Sequence, residues 1–274
     1  MSTHSQFQVD EVEPSYWKVT FTNGDINLYD PDSVEQLADL VTRIERAPDL
    51  TVVVFRSSNP DFFMAHWDLK SDMARVTAMR PGPTGLHPYA DNLIRLSRVP
   101  AVTITSINGR ARGAGSEFVL ATDIRFAGPQ AVLGQFEVGT GSVPGGNPMG
   151  RLTRLVGRGR AMEIILGADD FTAERAAEYG YVNRVLPAAE LDGFVDSFAA
   201  RIAGFDKAAV AQAKALIDAS AKVPDEESAA SIETFFRTAG RPENADRLRR
   251  LFERGLQRPD GAELDLGRRV AERA

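Results

Sequence analysis

The sequence predicts an α/β fold in which a largely parallel sheet is followed by an all-helical C-terminal region. Two runs rich in β-branched residues, at 17–22 and 51–57 (TVVVFRS), have the composition of buried strands. Between them apolar residues recur at helical spacing: Val34, Leu37, Leu40, Val41 and Ile44. Strand, helix and strand in this order are typical of the unit from which parallel sheets are built.

The remaining elements of the N-terminal half continue this alternation. A capping-box pattern, Asp32 followed by Glu35, marks the start of the first helix. An apolar run at 99–107 (VPAVTITSI) predicts a third strand, which a turn of small residues at 108–115 connects to a helix at about 116–121. Two short strand-like segments follow, at 124–127 and 131–134.

The pattern is helical from there to the C-terminus. The predicted helices are 149–166, 173–179, 191–203, 208–219, 229–238 and 244–255. We place the boundary near Phe205, so that residues 1–204 form the core domain and residues 205–274 a helical region. Residues 80–88 (RPGPTGLHP) predict a loop, and residues 259–274 a charged tail of uncertain order.

Composition excludes several classes of function. The chain has 274 residues, of which 43% are apolar, and a formal net charge of -6. Its 32 basic residues are interspersed with 38 acidic ones, so there is no basic stripe of the kind that binds a phosphate backbone. We therefore expect no nucleic acid as a partner, although a small anionic ligand could still bind a locally positive pocket.

Cysteine and histidine usage narrows the chemistry further. The absence of cysteine excludes disulfides, thiolate metal sites and a cysteine nucleophile. His4, His66 and His87 are scattered without metal-ligand spacing, so no bound metal is expected and acid/base chemistry must depend on carboxylates. The first eight residues are polar, and no apolar run approaches the roughly 20 residues that span a bilayer. We expect a soluble cytoplasmic protein without a membrane partner.

The turn at 108–117 (NGRARGAGSE) is the strongest candidate for a functional site. Its small residues let the backbone approach a ligand, and the helix that follows directs unpaired N–H groups and a positive dipole end outward. Such a turn is suited to holding an oxyanion. From spacing alone, however, Glu117 could equally be a surface carboxylate that stabilises the first turn of the helix.

Two known motifs fit this turn poorly. Gly113 and Gly115 follow a strand, open a helix and precede Glu137 by about 20 residues, as in a dinucleotide-binding fingerprint. Phe118 nevertheless stands where the third glycine is required for close packing between helix and strand. The same phenylalanine occupies the second glycine position of a serine-nucleophile elbow at Ser116.

Two further segments are ambiguous when considered alone. Residues 133–139 (LGQFEVG), with the glycine-rich stretch 141–146, could be an exposed loop that carries a solvated Glu137. Residues 61–69 (DFFMAHWDL) follow the second strand, and their aromatic residues and His66 could simply be buried in the core.

Taken in order, these segments resemble the enoyl-CoA hydratase/isomerase (crotonase) superfamily over residues 17–254. The family's F-x-A-G-x-D-L, N-G-x-x-x-G-G-G-x-E and D-I-x-x-A motifs are similar to residues 63–69, 108–117 and 123–127. Its G-x-P-E-x-x-x-G-x-x-P-G-x-G-G-x-x-R-L block resembles 134–152, and its A-x-x-x-G-x-V-x-x-V motif resembles 176–185. Each motif is weak alone, but five in the right order at the right separations are specific.

The resemblance implies a crotonase-like spiral of β-β-α turns with a C-terminal helical trimerisation region, assembled as a homotrimer or as a homohexamer formed by two trimers. It implies an acyl-CoA substrate, with the backbone N–H groups of Trp67 and Ala114 as the oxyanion hole. Glu117 and Glu137 would be the acid/base pair that adds water to a 2-enoyl-CoA, without a metal or redox cofactor. Further contacts to substrate or coenzyme A are expected at Ala65, His66, Asp68, Leu69, Gly113, Gly141 and Lys214.

The chain departs from the family pattern at several positions. His66 replaces a glycine and Trp67 is larger than usual, which raises the hypothesis that His66 reaches the substrate. Ala114 replaces a glycine, so its backbone angles must be ones that alanine can adopt. Phe136 and residues 147–150 (NPMG) alter the wall that faces the acyl group. Isomerisation, thioester hydrolysis, carbon–carbon cleavage and silent acyl-CoA binding therefore remain alternatives to hydration.

Overall fold

A computed structural model of the chain describes residues 5–272, so His4 lies outside the described residues. In this part of the chain, strands form two sheets. The larger sheet contains, in spatial order, β1 (Phe7–Glu13), β2 (Tyr16–Phe21), β3 (Val52–Ser57), β5 (Val102–Ile107), β7 (Ile124–Ala127) and β10 (Arg184–Val185). The smaller sheet contains β4 (Phe62–Met64), β6 (Arg110–Arg112), β8 (Val132–Gly134) and β9 (Phe171–Thr172).

The two sheets are joined by a repeated β-β-α turn. The chain passes from β3 to β4, from β5 to β6 and from β7 to β8, each time crossing from the larger sheet to the smaller one. Strands β3, β5 and β7 pair in parallel, and so do β4, β6 and β8. Only the β1–β2 and β8–β9 pairs of the described sheets are antiparallel. The predicted spiral of β-β-α turns is confirmed.

Helices follow the strands and cover both sheets. The N-terminal ones are α1 (Pro31–Arg46), α2 (Met73–Thr77), α3 (Pro88–Arg98), α4 (Ala114–Leu120) and α5 (Glu137–Thr140). The next group is α6 (Pro148–Val156), α7 (Arg158–Gly167), α8 (Ala173–Tyr179) and α9 (Ala188–Ala203). The C-terminal region contains α10 (Lys207–Ser220), α11 (Asp225–Ala239), α12 (Pro242–Glu253), a 3₁₀ turn (Ala262–Leu264) and α13 (Leu266–Ala271).

Two helix boundaries differ from the sequence prediction. The capping box consists of Asp30 and Ser33 rather than Asp32 and Glu35, since the backbone N–H of Ser33 donates to the Asp30 carboxylate over 2.8 Å. Pro31, whose fixed φ favours the first helical position, sets this earlier start. The helix predicted over 149–166 is two helices, because Gly157 between them has φ of +84°.

Several elements of the structure are not predicted by the sequence pattern. Strand β1 lies in a polar segment, and α3 begins at the end of the predicted loop, where His87 caps the helix and Pro88 takes its first position. The charged tail is also ordered as far as residue 272. Its 3₁₀ turn and α13 bury Ala262, Leu266 and Val270 against the rest of the chain.

The main core lies between the two sheets and under α1 and α3, with Leu37, Val53 and Phe118 among its fully buried residues. On the opposite face of the larger sheet, α9 packs Leu191 and Val195 against the strands. The boundary predicted near Phe205 follows directly after this helix. Beyond it, α11 packs on α3 and α12 packs on α5, so the C-terminal helices cover these two helices of the core domain.

Candidate active site

Glu117 and Glu137 lie beside each other because two successive spiral turns place them there. Glu117 is in the first turn of α4, after β6, and Glu137 is the first residue of α5, after the adjacent strand β8. Gly113 lies between β6 and α4, with φ of +47°. Its N–H donates to the carbonyl oxygen of Gly134, in β8, over 3.0 Å. A Cβ on Gly113 would lie 2.4 Å from Oε1 of Glu137, so only glycine fits at this position.

Two hydrogen bonds hold Glu117 in a buried position. Its Oε1 accepts the backbone N–H of Gly146 over 2.8 Å, and its Oε2 accepts the hydroxyl of Tyr89. Burial raises the pKa of the carboxyl, while the hydrogen bonds from Tyr89 and Gly146 and the charge of Arg151 act in the opposite direction. The net pKa of Glu117 stays above its ordinary value, but these contacts limit the rise, so Glu117 ionises more readily than Glu137.

Glu137 has a contrasting environment. It is buried, and within the described chain its Oε2 has no hydrogen-bond partner. Burial, followed by the negative charge of Glu117, raises the pKa of Glu137 well above the ordinary value. Two carboxyl groups in one dry site thus have different proton affinities, as an acid/base pair requires.

Glu117 and Glu137 line an open cavity with mostly apolar walls, and its empty space, including the part open to solvent, is about 440 Å³. The lining residues are Trp67, Met73, Val76, His87, Tyr89, Ala114, Glu117, Glu137, Gly145, Ile232, Phe235 and Phe236. A second, larger cavity adjoins it beyond Glu137 and shares the walls formed by Trp67, Met73 and the two phenylalanines. An elongated ligand can therefore extend from the first cavity past Glu137 into the second.

Helix α11 supplies one wall of the cavity and also fixes the loop over Glu117. The Ser231 hydroxyl donates to the Pro144 carbonyl over 2.8 Å and accepts the N–H of Asn147 over 3.1 Å. These bonds hold the loop that contains Gly146, the donor to Glu117. The departure at 147–150 forms the start of α6, where Asn147 caps the helix and Pro148 takes the first position.

Trp67 and Ala114, the residues expected to supply the backbone donors, both line the cavity. Within the described chain neither N–H has a hydrogen-bond acceptor, and their role as an oxyanion hole stays a prediction. Ala114 opens α4 and is not among the residues with positive φ, which is why alanine is tolerated there. The Trp67 segment is held by Tyr29, whose N–H donates to His66 and whose carbonyl accepts from Asp68.

The structure corrects the hypothesis that the His66 side chain reaches the substrate. The imidazole is fully buried and is absent from the walls of both cavities. Its Nδ1 lies 2.6 Å from the Trp67 carbonyl oxygen and its Nε2 lies 2.7 Å from Oε1 of Glu263. The ring points away from the reacting groups because these two acceptors and the Phe136 ring surround it.

Of the other residues predicted to contact the substrate, some lie at the second cavity and others lie away from both cavities. Leu69 lines the second cavity, and Gly141 ends α5 in the left-handed conformation beside it. Ala65 is buried in the core, and Asp68 accepts a hydrogen bond from the side chain of Gln257. Neither of these two lines a described cavity, and a substrate contact by either stays a prediction.

Lys214 is not brought to the two glutamates. Its side chain is only 8% exposed, and its ammonium group donates to Asp123 over 2.7 Å and to the Ala101 carbonyl over 3.1 Å. Its charge is therefore neutralised within the fold, and no described contact supports its predicted role as a ligand of coenzyme A phosphates.

Tyr89, His87 and the α11 wall of the cavity were not predicted from the sequence. The signal for α3 was present in Pro88 and in the spacing of Leu93 and Leu96, but nothing local indicated that Tyr89 would reach Glu117.

Over residues 5–272 there is no helix with the length and apolar character of a membrane span. The same residues contain no group of three or more His, Asp or Glu side chains arranged to hold a metal ion.

Comparisons with known proteins agree with this geometry. The family model for enoyl-CoA hydratase/isomerase matches residues 11–247. A probable mitochondrial enoyl-CoA hydratase of Dictyostelium discoideum is 32% identical, with 72% of each chain covered. A crotonyl-CoA hydratase of Syntrophomonas wolfei is 33% identical over 69% of this chain and 72% of the relative.

Solved structures match over nearly the whole chain. One match is a crystal structure of a Streptomyces avermitilis protein assigned as an enoyl-CoA hydratase, with 37% sequence identity and a TM-score of 0.93. The match covers 100% of this chain and 99% of the Streptomyces chain. Pseudomonas aeruginosa DspI is 27% identical with a TM-score of 0.73 and covers 94% of both chains. The spiral, the paired carboxyl groups and the family match together show that this chain belongs to the enoyl-CoA hydratase/isomerase family.

Proposed function

We propose that this protein adds water to the double bond of a 2-enoyl-CoA and forms a 3-hydroxyacyl-CoA. The observation that carries the proposal is the pairing of Glu117 and Glu137 in one cavity with different hydrogen-bond environments. A hydratase needs one group that accepts a proton from water and another that donates a proton to carbon. Similarity to a crotonyl-CoA hydratase supports the same reaction type.

The chemistry follows from the position of each group. Glu117, held as a carboxylate by Tyr89 and Gly146, takes a proton from water as the water oxygen bonds to Cβ. Electrons of the double bond move to the thioester oxygen, where the N–H groups of Trp67 and Ala114 stabilise the enolate. Glu137, kept protonated by its raised pKa, then donates its proton to Cα. Glu117 then releases its proton to solvent and Glu137 takes one up, which restores both carboxyl groups.

The walls of the cavities indicate an uncharged acyl group. Neither Lys nor Arg lines either of the two adjoining cavities, so an acyl carboxylate would lack a partner there. Trp67, Tyr89 and Phe236 instead offer apolar surface. We therefore propose an unbranched or branched hydrocarbon acyl chain as the substrate class.

Loss of the ultraviolet absorbance of a conjugated enoyl thioester tests the proposal directly. We expect hydration of crotonyl-CoA or of a medium-chain 2-enoyl-CoA, with formation of the 3-hydroxy product shown by mass spectrometry. Absence of water addition across short and medium chains would contradict the proposal. Conversion of a 3-enoyl-CoA to the 2-enoyl isomer, or release of free thiol, would identify the isomerase or hydrolase alternative. A thermal shift with coenzyme A esters and no turnover would indicate a silent binding protein.

The assembly and location are part of the proposal. Helix α10 exposes Leu216 and Ile217, which are 73% and 69% accessible, and large exposed apolar side chains in a group are typical of subunit contacts. We propose a homotrimer, or a homohexamer of two trimers, that uses this surface. The absence of a cofactor requirement and the cytoplasmic location stay predictions from the sequence.

A further inference from the structure

A buried polar cluster lies behind the loop that carries Trp67. We call it the Glu263 cluster, and it consists of His66, Arg112, Asp170 and Glu263. Three of its members, all except Asp170, are completely buried. Glu263 comes from the 3₁₀ turn of the C-terminal tail, whereas His66 and Arg112 belong to the spiral. The cluster thus connects the end of the chain to the two segments that carry the proposed oxyanion donors.

The first connection runs through the side chain of Glu263. Its Oε1 lies 2.7 Å from His66 Nε2 and also accepts the backbone N–H of Gln257 over 2.8 Å. On the other side of the ring, His66 Nδ1 lies 2.6 Å from the carbonyl oxygen of Trp67. The carboxyl of Glu263 is therefore one imidazole ring away from the backbone of the first donor residue.

The second connection runs through the backbone of Glu263. Its carbonyl oxygen accepts a hydrogen bond from Arg112 Nη1 over 2.9 Å. Asp170 binds the same guanidinium in a bidentate manner, over 2.6 and 2.7 Å. Arg112 directly precedes Gly113 and Ala114, and its own N–H donates to the Ala65 carbonyl over 3.2 Å. Both donor segments are thus linked to one residue and to each other.

Hydrogen bonding and pKa shifts together indicate the protonation state of the pair. A backbone carbonyl only accepts, so Nδ1 of His66 must carry a proton. One further proton lies between Nε2 and Oε1 of Glu263, and the opposite pKa shifts of the two groups favour its place on Nε2, as an imidazolium beside an ionised Glu263. Burial lowers the pKa of His66, but the charge and hydrogen bond of Glu263 outweigh it and leave the pKa raised, despite the opposing charge of Arg112. Burial raises the pKa of Glu263, but the charge and hydrogen bond of His66, together with the Gln257 N–H and the charge of Arg112, leave this pKa lowered.

We propose that Glu263 is a positioning residue for the reaction: through His66 and Arg112 it holds the backbone segments whose N–H groups at Trp67 and Ala114 bind the thioester oxygen. This inference rests on the proposed function. It also explains why Glu263, which lies in the C-terminal tail far from the motifs in sequence, is completely buried. Oxyanion donors must be positioned before the charge develops, and a displacement of about 1 Å can reduce turnover on the order of 100-fold.

The test compares Glu263→Ala and Glu263→Gln with a matched control in the same tail. Asp260→Asn is suitable because Asp260 is exposed and pairs only with the exposed side chain of Arg258 among the described residues. For each variant, kcat and KM for enoyl-CoA hydration are measured well below its melting temperature. A second readout uses a chromophoric aryl enoyl thioester, whose absorbance shifts to the red when the bound carbonyl is polarised.

We expect Glu263→Ala to lower kcat on the order of 10- to 100-fold with KM changed less than about threefold, because a displaced donor segment affects the transition state more than binding. The red shift of the bound thioester should shrink in parallel. Glu263→Gln should be intermediate, since an amide can bond to neutral His66 but cannot keep it charged, and it carries the test if the alanine variant does not fold. Asp260→Asn should match the wild type.

Two results would overturn the inference: a folded Glu263→Ala protein with wild-type kcat, or a reduced kcat with an undiminished red shift. Failure of the proposed function would look different, because the wild type itself would then hydrate no enoyl-CoA. In that case a red shift in the wild type that is lost in Glu263→Ala would still support positioning of the donors. No red shift in the wild type would overturn both the oxyanion assignment and the inference.

Discussion

The hydroxyl of Tyr89 donates a hydrogen bond to Oε2 of Glu117, deep in the cavity that Glu117 shares with Glu137. Oε1 of Glu117 is occupied as well, by the N–H of Gly146, whereas Oε2 of Glu137 has no partner within the described chain. Hydrogen bonds to a carboxylate favour its ionised form, and burial without them favours the neutral form. This asymmetry supports the proposal in which Glu117 is the base and Glu137 the acid.

Replacement of Tyr89 should therefore impair the base. In Tyr89→Phe the pKa of Glu117 should rise, because the lost hydrogen bond had stabilised the carboxylate. The ascending limb of the pH–rate profile should move to higher pH, and kcat near neutral pH should fall about tenfold, since a hydrogen bond to a charged group contributes roughly 1.5–3 kcal/mol. Steady-state kinetics across pH provide the measurement.

The chain offers a matched control for this variant. Tyr179 also donates to a glutamate, Glu163, over 2.8 and 2.9 Å, but does so outside the cavity. Tyr179→Phe should leave the pH–rate profile unchanged. An unmoved ascending limb in Tyr89→Phe would show that Glu117 does not act as the base.

Both glutamates should be needed for turnover rather than for binding. Glu117→Gln and Glu137→Gln should each lower kcat on the order of 10²- to 10⁴-fold, which is the range for loss of a general acid or base. KM should change much less, and the exposed Glu163→Gln should behave as the wild type. Wild-type kcat in either cavity variant would remove that residue from the mechanism.

The raised pKa of Glu137 should also make the stability of the protein depend on pH. Because the pKa of Glu137 is raised well above its ordinary 4.5, the folded state binds this proton more tightly than the unfolded state. Its contribution to the free energy of unfolding is full below about pH 4.5 and is lost as the pH rises through the folded-state pKa. Glu137→Gln should therefore melt above the wild type at neutral pH, and the difference should vanish near pH 4.

Thermal unfolding at both pH values tests this expectation. Glu178→Gln, at an exposed carboxyl on α8, should show no such pH-dependent gain. A Glu137→Gln protein that melts below the wild type at neutral pH would mean that the buried carboxyl stabilises the fold, contrary to its assigned environment.

Negative charge placed on the exposed apolar surface of α10 should disrupt the proposed assembly. The double variant Leu216→Glu, Ile217→Glu should sediment as a smaller species than the wild type, because two acidic side chains would be buried without partners in the proposed contact. Val12→Glu, at an exposed apolar position on β1, is the control and should leave the assembly intact. A wild type that sediments as a monomer would refute the proposed trimer.

Much of the fold could be predicted because its signals are local. The β-branched runs that became β3 and β5, and the apolar spacing that became α1, depend on periodicity within a few residues. Boundaries were less accurate where one residue overrides the pattern, as Pro31 does at the start of α1 and Gly157 does between α6 and α7. Polar β1 was missed because its pairing with β2, rather than its own composition, makes it a strand.

By itself the sequence determined the alternation of strands and helices and the family resemblance, which in turn implied the β-β-α spiral and the pair Glu117 and Glu137. Each of these depends on residue type and order along the chain. Only the tertiary structure decided that Tyr89 and Gly146 bond to Glu117, and that His66 faces Glu263 rather than the cavity. Such contacts join residues up to 197 positions apart. Their geometry and burial, which set the proton affinities, arise only when the core closes around them.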